Sequence, residues 1–300
     1  MKKNSDVKQE EKLRFGLCCI FRQEPIKFRQ TTAKVLSALS HEERTLRLSE
    51  ICLHNVLNLQ KALHFVVTNN IGAFRILSPL FPRYTHPDVG YRWEDLPAAK
   101  EIKKTFAAIR KYRSQHDIRL SFHPDQFNVL SSLRPEVVEK TVVELEYQAM
   151  LAELVEADVI NIHAGGTYGD KSMALQRLHE NLRKLPKAVL SRLTLENDDR
   201  SYTPADLLPL CEDLQIPMVY DVHHHRCLPD AMTDGEVTER VVKLWQEVGR
   251  EPYFHVSSPK NGWQGRDPKP HADYVDPTDF PDCWQDLAAT VDVEAKAKEL

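Results

Sequence analysis

The run Met218-Val219-Tyr220-Asp221-Val222-His223-His224-His225 leads from strand-like residues into a carboxylate and three consecutive imidazoles. Carboxylate oxygens and neutral imidazole nitrogens are the usual ligands of zinc, manganese and iron. Side chains alternate along a strand, so Met218, Tyr220 and Val222 should share an apolar face, with Val219 and Asp221 on the other. Taken alone, the run is as easily a histidine-rich surface turn as a metal site. The pattern recurs, however, in Ile118–His123, Val159–His163, Leu193–Glu196, Phe254–Val256 and Val291–Glu294. In each, apolar residues hold one parity, and His, Asp or Glu holds the other at or near the C-terminal end. One buried histidine is more often a satisfied core residue than a ligand. Six strands delivering metal-capable side chains to the same end are hard to explain by packing.

The elements that must carry these residues alternate. Phe15–Phe21 reads as a first strand, followed by a polar stretch, Arg22–Glu43, with a short helix around Thr32–Leu39. A broad apolar face predicts a helix over Arg44–Asn69. Ala73–Ser78 is the second strand, with Arg75 opposite in parity to Phe74 and Ile76; a proline-broken loop, Pro79–Leu96, follows. Helices are expected at Pro97–Gln115, Pro135–Glu156, Lys171–Leu182 and Gly235–Val248, each leading to a strand. Thr203 and Pro204 mark another helix start, as N-cap and first helical residue. Gly165–Gly169 is a flexible turn, a weak phosphate-cradle signal by itself. The seventh strand starts at Tyr253; a Pro-Lys-rich loop, Ser257–Pro277, follows, then a short helix over Thr278–Ala289. The eighth strand ends in Glu294.

Eight strands alternating with helices predict an α/β fold, a (β/α)8 TIM barrel whose sites lie at the C-terminal ends of its strands. The final outer helix is missing from the sequence: either the N-terminal tail or a partner caps the flank it would cover, or the sequence is a truncated one. Residues 14–300 read as one catalytic domain and residues 1–13 as a frayed tail. No apolar run reaches the roughly 20 residues of a membrane span, and the charged start has no signal-peptide core. A cytoplasmic protein is expected. Its six cysteines lack C-x-x-C spacing and read as reduced thiols. A net charge of −4 weighs only weakly against nucleic acid, because a local basic groove can act within an acidic protein.

Several motifs in fixed order give the pattern a family. They are Ser121–Phe127, Asn161–Gly169, Leu195–Asp199, Asp221–His225, His255–Lys260, His271–Val275 and Glu294–Lys296. From about Arg14 to Lys296 the chain resembles the UV damage endonucleases. The resemblance implies a TIM barrel holding two to three divalent ions, commonly manganese, with zinc or iron as alternatives. Its ligands fall on His123, His163, Glu196, Asp221, His224, His255, His271 and Glu294. For the triple histidine, alternation would turn His223 inward, whereas the family pattern selects His224. Gln126 and Phe127 match the pair that probes the duplex at the lesion, where the second residue is usually Tyr. Two positions depart from the family. Leu17 stands where an aromatic residue is usual, and Tyr253 where relatives carry a lysine, understood to be carboxylated and to bridge metals.

The implied activity is hydrolysis of a DNA phosphodiester 5′ to a UV-damaged nucleotide by metal-activated water. Glu196, Asp221 and Glu294 would be the catalytic carboxylates, the first two bridging ions. Arg75 and Lys260, with Arg266 and Lys269, are candidate phosphate contacts. The expected partner is damaged double-stranded DNA, met by a monomer, with no membrane involved. Two other classes stay open. One is an abasic-site endonuclease or sugar isomerase on the same metal barrel. The other is a protein that binds damage without cutting, which would not need a full ligand set.

Overall fold

The computed structural model describes residues 13–300, so the tail expected at the N-terminus lies outside the described residues except for Leu13. Eight parallel strands close a barrel in sequence order. They are β1 (Arg14–Cys18), β2 (Ala73–Ile76), β3 (Arg119–Phe122), β4 (Val159–His163), β5 (Leu193–Glu196), β6 (Met218–Asp221), β7 (Tyr253–Val256) and β8 (Thr290–Val293). Parallel strands need a crossover between neighbours, and helices supply it by covering the outer face. Leu120, Phe122, Ile160, Leu195, Tyr220 and Phe254 are buried beneath them.

The first crossover holds α1 (Ala33–Ser37) and α2 (His41–Thr68). The long helix starts before Arg44 because Ser40 and Glu43 form a reciprocal cap. The Ser40 hydroxyl accepts the Glu43 N–H, and the Glu43 carboxylate accepts the Ser40 N–H. Further round are α3 (Ala99–Gln115), α4 (Pro135–Val155), α5 (Lys171–Leu182), the short α6 (Lys187–Leu190) and α7 (Pro204–Leu214). Thr203 caps α7 as the sequence suggests, with Pro204 in its first turn.

Three expectations change. The first strand stops at Cys18, because Cys19 takes a left-handed backbone (φ 53°) that ends the extended geometry. The sixth strand stops at Asp221, and Val222 belongs to a helical turn, α8 (Val222–Cys227), rather than to the apolar strand face. The third is the helix expected over Thr278–Ala289. After α9 (Asp234–Glu247) and β7, that stretch forms only two 3-10 turns, Pro277–Asp279 and Asp282–Trp284. Prolines at 277 and 281 remove backbone donors there. Trp284 does the covering instead: it is fully buried, stacks on Phe254 at 4.6 Å and donates its indole N–H to the Thr238 hydroxyl.

Among the described residues no helix follows β8. The chain turns back over the mouth, where the Glu299 carboxylate accepts backbone N–H groups of Arg22, Gln23 and Glu24. On the flank beside β1, Phe280 meets Phe15 edge-on at 5.9 Å, leaving Phe15 half exposed.

The barrel interior is polar low down as well as at the mouth. The Arg119 guanidinium donates to Asp158, to the Pro252 carbonyl and to the Thr290 hydroxyl, and lies 4.9 Å from the Tyr253 ring. Asp158 is held below the usual carboxylate range: burial raises it, but Arg119 outweighs burial. No helix among the described residues is long and apolar enough to cross a membrane.

Candidate metal centre

Strand register decides which side chains meet. His163 pairs with Glu196 across β4 and β5, Asp221 with His255 across β6 and β7, and His255 with Asp292 across β7 and β8. Equal parity and equal height therefore place these groups together at the C-terminal mouth. His123 and Glu294 are the first residues beyond β3 and β8 and join the same level.

Glu196 is the hub. One of its carboxylate oxygens lies 3.0 Å from His123 Nε2 and 3.9 Å from His163 Nε2. The other lies 3.2 Å from His255 Nδ1 and 3.4 Å from His224 Nδ1. Asp221 Oδ2 is 3.5 Å from His224 Nδ1 and 4.0 Å from His255 Nδ1. Glu294 meets His255 Nδ1 at 3.5 Å with one oxygen and His271 Nδ1 at 3.6 Å with the other. Three ligand groups result: His123, His163 and Glu196; Glu196, Asp221 and His224; Asp221, His255 and Glu294. Glu196 and Asp221 each belong to two of them. His271 stands at the rim outside these groups, its Nδ1 also 3.2 Å from the Glu294 carbonyl.

The triple histidine divides by geometry. Asp221 caps α8, its Oδ1 accepting the His224 N–H at 2.8 Å. The helical turn then sends the three imidazoles in different directions. His224 faces Glu196. His223 is buried beside Trp263, with Nε2 near the Lys269 carbonyl. His225 bonds the Tyr220 hydroxyl and Asp230.

Electrostatics follow from this crowding. Burial raises Glu196, but His255 and His163 and the hydrogen bonds of His123 and His224 hold it well below the usual carboxylate range. Glu294 is likewise pushed up by burial and held well down by Arg75 and His255. Burial lowers His255, yet Glu196 and Glu294 outweigh it and lift the imidazole to about 9. His224 rises as well, burial losing to Asp221 and Glu196. Burial lowers His163.

Such a donor set fits divalent cations. Asp221 Oδ2 is buried and has no hydrogen-bond partner among the described residues. A buried carboxylate oxygen left so is costly unless a cation meets it. Oxygen and imidazole donors converge around it without thiolates, the chemistry of manganese, iron or zinc rather than of a soft-metal site.

Other candidate residues separate. Phe127 is 77% exposed on the loop after β3, where Asp125 Oδ1 accepts its N–H. Gln126 lines a cleft of about 500 Å³ with His123, His163, Arg75 and Cys19. Lys260 and Arg266 are exposed and Lys269 is half-buried. Arg75, expected at a phosphate, is instead buried. Its Nη2 lies 2.5 Å from Glu294 and its Nε 3.4 Å from Asp292, because its inward parity carries it into the cluster. Tyr253 is buried one layer below. Its hydroxyl is 2.9 Å from the Ser121 hydroxyl, and burial keeps its phenol well above its ordinary value. Leu17 is buried.

Two bracing residues carried no role in the sequence reading. Asn161 donates to Glu196 Oε2 and is itself fixed by the Thr194 hydroxyl at 2.9 Å. Asn197 donates to the Asp221 carbonyl and accepts the Asp221 N–H. Asn161 shares parity with His163, which was the available signal; Asn197 lies past the strand, where parity gives none.

Known proteins match this arrangement. The family described as "UV-endonuclease UvdE" matches residues 13–300. A UV DNA damage endonuclease of Bacillus velezensis is 37% identical over 272 residues, 88% of this chain and 82% of that protein. The crystal structure of SacUVDE superposes with a TM-score of 0.83 at 29% identity, covering 96% of this chain and 94% of that one. Endonuclease IV from Thermus thermophilus shares the fold, with a TM-score of 0.55 at 17% identity over 93% of this chain and 91% of that one.

Proposed function

The chain belongs to the UV-endonuclease UvdE family of DNA repair endonucleases, and on that premise we propose that it cuts the phosphodiester on the 5′ side of UV-damaged nucleotides in double-stranded DNA. One observation carries the reading: Glu196 and Asp221 link three ligand groups at the barrel mouth, and the loop that follows His123 exposes Phe127.

His123 and His163 with Glu196, His224 with Glu196 and Asp221, and His255 with Asp221 and Glu294 would hold two to three ions, with His271 at the rim. Manganese fits the mixed oxygen and imidazole donors. Such ions, when bound, lower the pKa of water and stabilise charge on the attacking and leaving oxygens. The protein's part is to keep the ligands ionised and aimed. Asn161 fixes one oxygen of Glu196, Asn197 fixes the Asp221 backbone, and Arg75 holds Glu294 as a buried counter-charge rather than as a surface phosphate contact. Gln126 and Phe127 would probe the duplex at the lesion, as side chains inserted at weakened base steps do. Lys260 would contact a phosphate and add affinity without sequence preference. A cytoplasmic monomer suffices for this chemistry, since every ligand group comes from one chain.

The test is an end-labelled duplex carrying one pyrimidine photoproduct, incubated with the manganese-loaded protein. A cut directly 5′ to the photoproduct, absent from the undamaged duplex, is expected. Cutting only 3′ to it, or equally in both duplexes, would overturn the reading.

A further inference from the structure

Of the acidic residues on the described strands, only Asp292 lies outside the three ligand groups. Asp292 lies on β8, in register with His255 on β7 and Gly16 on β1. It is fully buried, and neither of its carboxylate oxygens has a hydrogen-bond partner among the described residues. Its space comes from Gly16, where a Cβ would stand 2.0 Å from Asp292 Oδ1. A buried, unsatisfied carboxylate costs several kcal/mol of desolvation, so its neighbours should disclose what it serves.

Two groups face it. Arg75 Nε is 3.4 Å from Asp292 Oδ2, while Nη2 of the same guanidinium holds Glu294. The second is His255, whose Nε2 lies 3.9 Å from Asp292 Oδ2. The opposite ring nitrogen, Nδ1, is the one that faces Glu196, Glu294 and Asp221. The imidazole thus stands between the ligand carboxylates on one edge and Asp292 on the other. To offer a lone pair at Nδ1, a neutral imidazole must carry its proton on Nε2. That N–H is buried with the ring and needs an acceptor. Metal-binding histidines commonly donate their second N–H to a carboxylate, which fixes tautomer and ring orientation and raises ligand basicity.

We infer that Asp292 is a positioning residue for the metal centre: on metal loading its carboxylate closes the present 3.9 Å gap, which is too long for a hydrogen bond, accepts the Nε2 proton of His255 and so presents Nδ1 towards Asp221 and Glu294. This rests on the metal-centre reading and deepens it. Asp292 itself belongs to none of the three ligand groups and faces the ring nitrogen opposite the one that the ligand carboxylates face. Arg75 keeps both acids in place, joining Asp292 to Glu294 across one guanidinium.

The experiment loads histidine-15N-labelled protein with zinc, which is diamagnetic, and measures zinc affinity by chelator competition in the parent, Asp292→Ala and Asp292→Asn. In the parent, the His255 resonances should show Nδ1 bound to metal and the proton on Nε2. Asp292→Ala should bind its weakest zinc roughly 10- to 100-fold less tightly, with the Nε2 proton signal lost to exchange. Asp292→Asn keeps an acceptor oxygen without the charge and should recover most of the affinity and the signal. If Asp292 only balanced Arg75, Asn would be as poor as Ala, and that result overturns the inference. So does metal on Nε2 in the parent, or an Asp292→Ala affinity equal to the parent's. Should Asp292→Ala fail to fold, the parent spectrum and Asp292→Asn still decide. A parent that takes up no zinc would strike at the metal centre itself, a failure distinct from unchanged binding in the variants.

Discussion

His255 and His224 hold protons that the metal-free centre needs. Buried among Glu196, Asp221 and Glu294, each imidazolium offsets carboxylate charge alongside Arg75. His255 is raised from its ordinary 6.5 to about 9, so its favourable pairing is fully present below about pH 6.5 and is lost as pH rises through about 9. Metal-free protein should therefore lose thermal stability between those values. Bound ions supply the same compensation without protons, so metal-loaded protein should hold its melting temperature across that window. Loading near pH 7 must release protons, which calorimetry in buffers of different ionisation enthalpy would register. Equal pH profiles for the two forms, with no proton release, would contradict this picture. At this scale the sequence was informative wherever a residue sat on a strand. Parity singled out Glu196, Asp221, His163 and His255, and also turned Arg75 inward, though its charge suggested the surface. Parity could not reveal that Asp292 faces Arg75 yet lacks a hydrogen-bond partner among the described residues, because that depends on Gly16 and Arg75 from distant parts of the chain.

At the scale of elements, the regular strands and capped helices were legible, and the irregular pieces were not. Lys171–Leu182, Val159–His163 and Leu193–Glu196 match their sequence signals residue for residue. The run at Met218 does not, since Asp221 serves both as the last residue of β6 and as the N-cap of α8. That change of backbone, from a two-residue to a 3.6-residue period, is why alternation pointed to His223 while His224 is the one that faces Glu196. The stretch after the seventh strand has apolar residues enough for a helix, but its prolines leave only 3-10 turns around the buried Trp284. The loop after β3 is pinned by Asp125 and presents Phe127 to solvent, an arrangement with little packing value. Its exposed ring is suited to stacking, worth about 1–3 kcal/mol per base. Phe127→Ala should therefore reduce the preference for damaged over intact duplex by roughly tenfold or more, while leaving stability and intact-DNA binding nearly unchanged. Competition binding with irradiated and untreated duplexes measures it, and an unchanged preference would remove Phe127 from lesion recognition.

Over the whole molecule, closure of the barrel is what makes the site. Residues from 123 to 294 meet within a few ångströms only because β8 pairs with both β7 and β1. The alternation of eight strands with helices announced that closure from sequence, and the metal-capable residues at the strands' C-terminal ends pointed to the end proposed for the chemistry. The return of the C-terminal stretch over the first loop through Glu299 was not legible, because it depends on backbone N–H groups of Arg22 and Gln23 rather than on any pattern. With a net charge of −4, the overall field does not favour DNA, so the proposed site predicts that DNA is met locally at the mouth. The most direct measurement is nicking of supercoiled plasmid, UV-irradiated or untreated, by the parent, the chelated parent, Glu196→Gln and Asp221→Asn. The parent should nick only the irradiated plasmid, lose that activity on chelation and regain it with manganese. Each variant should lose at least about a hundredfold, beyond the roughly 10- to 100-fold typical of residues that merely support a ligand. Full nicking by thoroughly chelated protein or by Glu196→Gln, or equal nicking of untreated plasmid, would contradict a metal-dependent damage endonuclease.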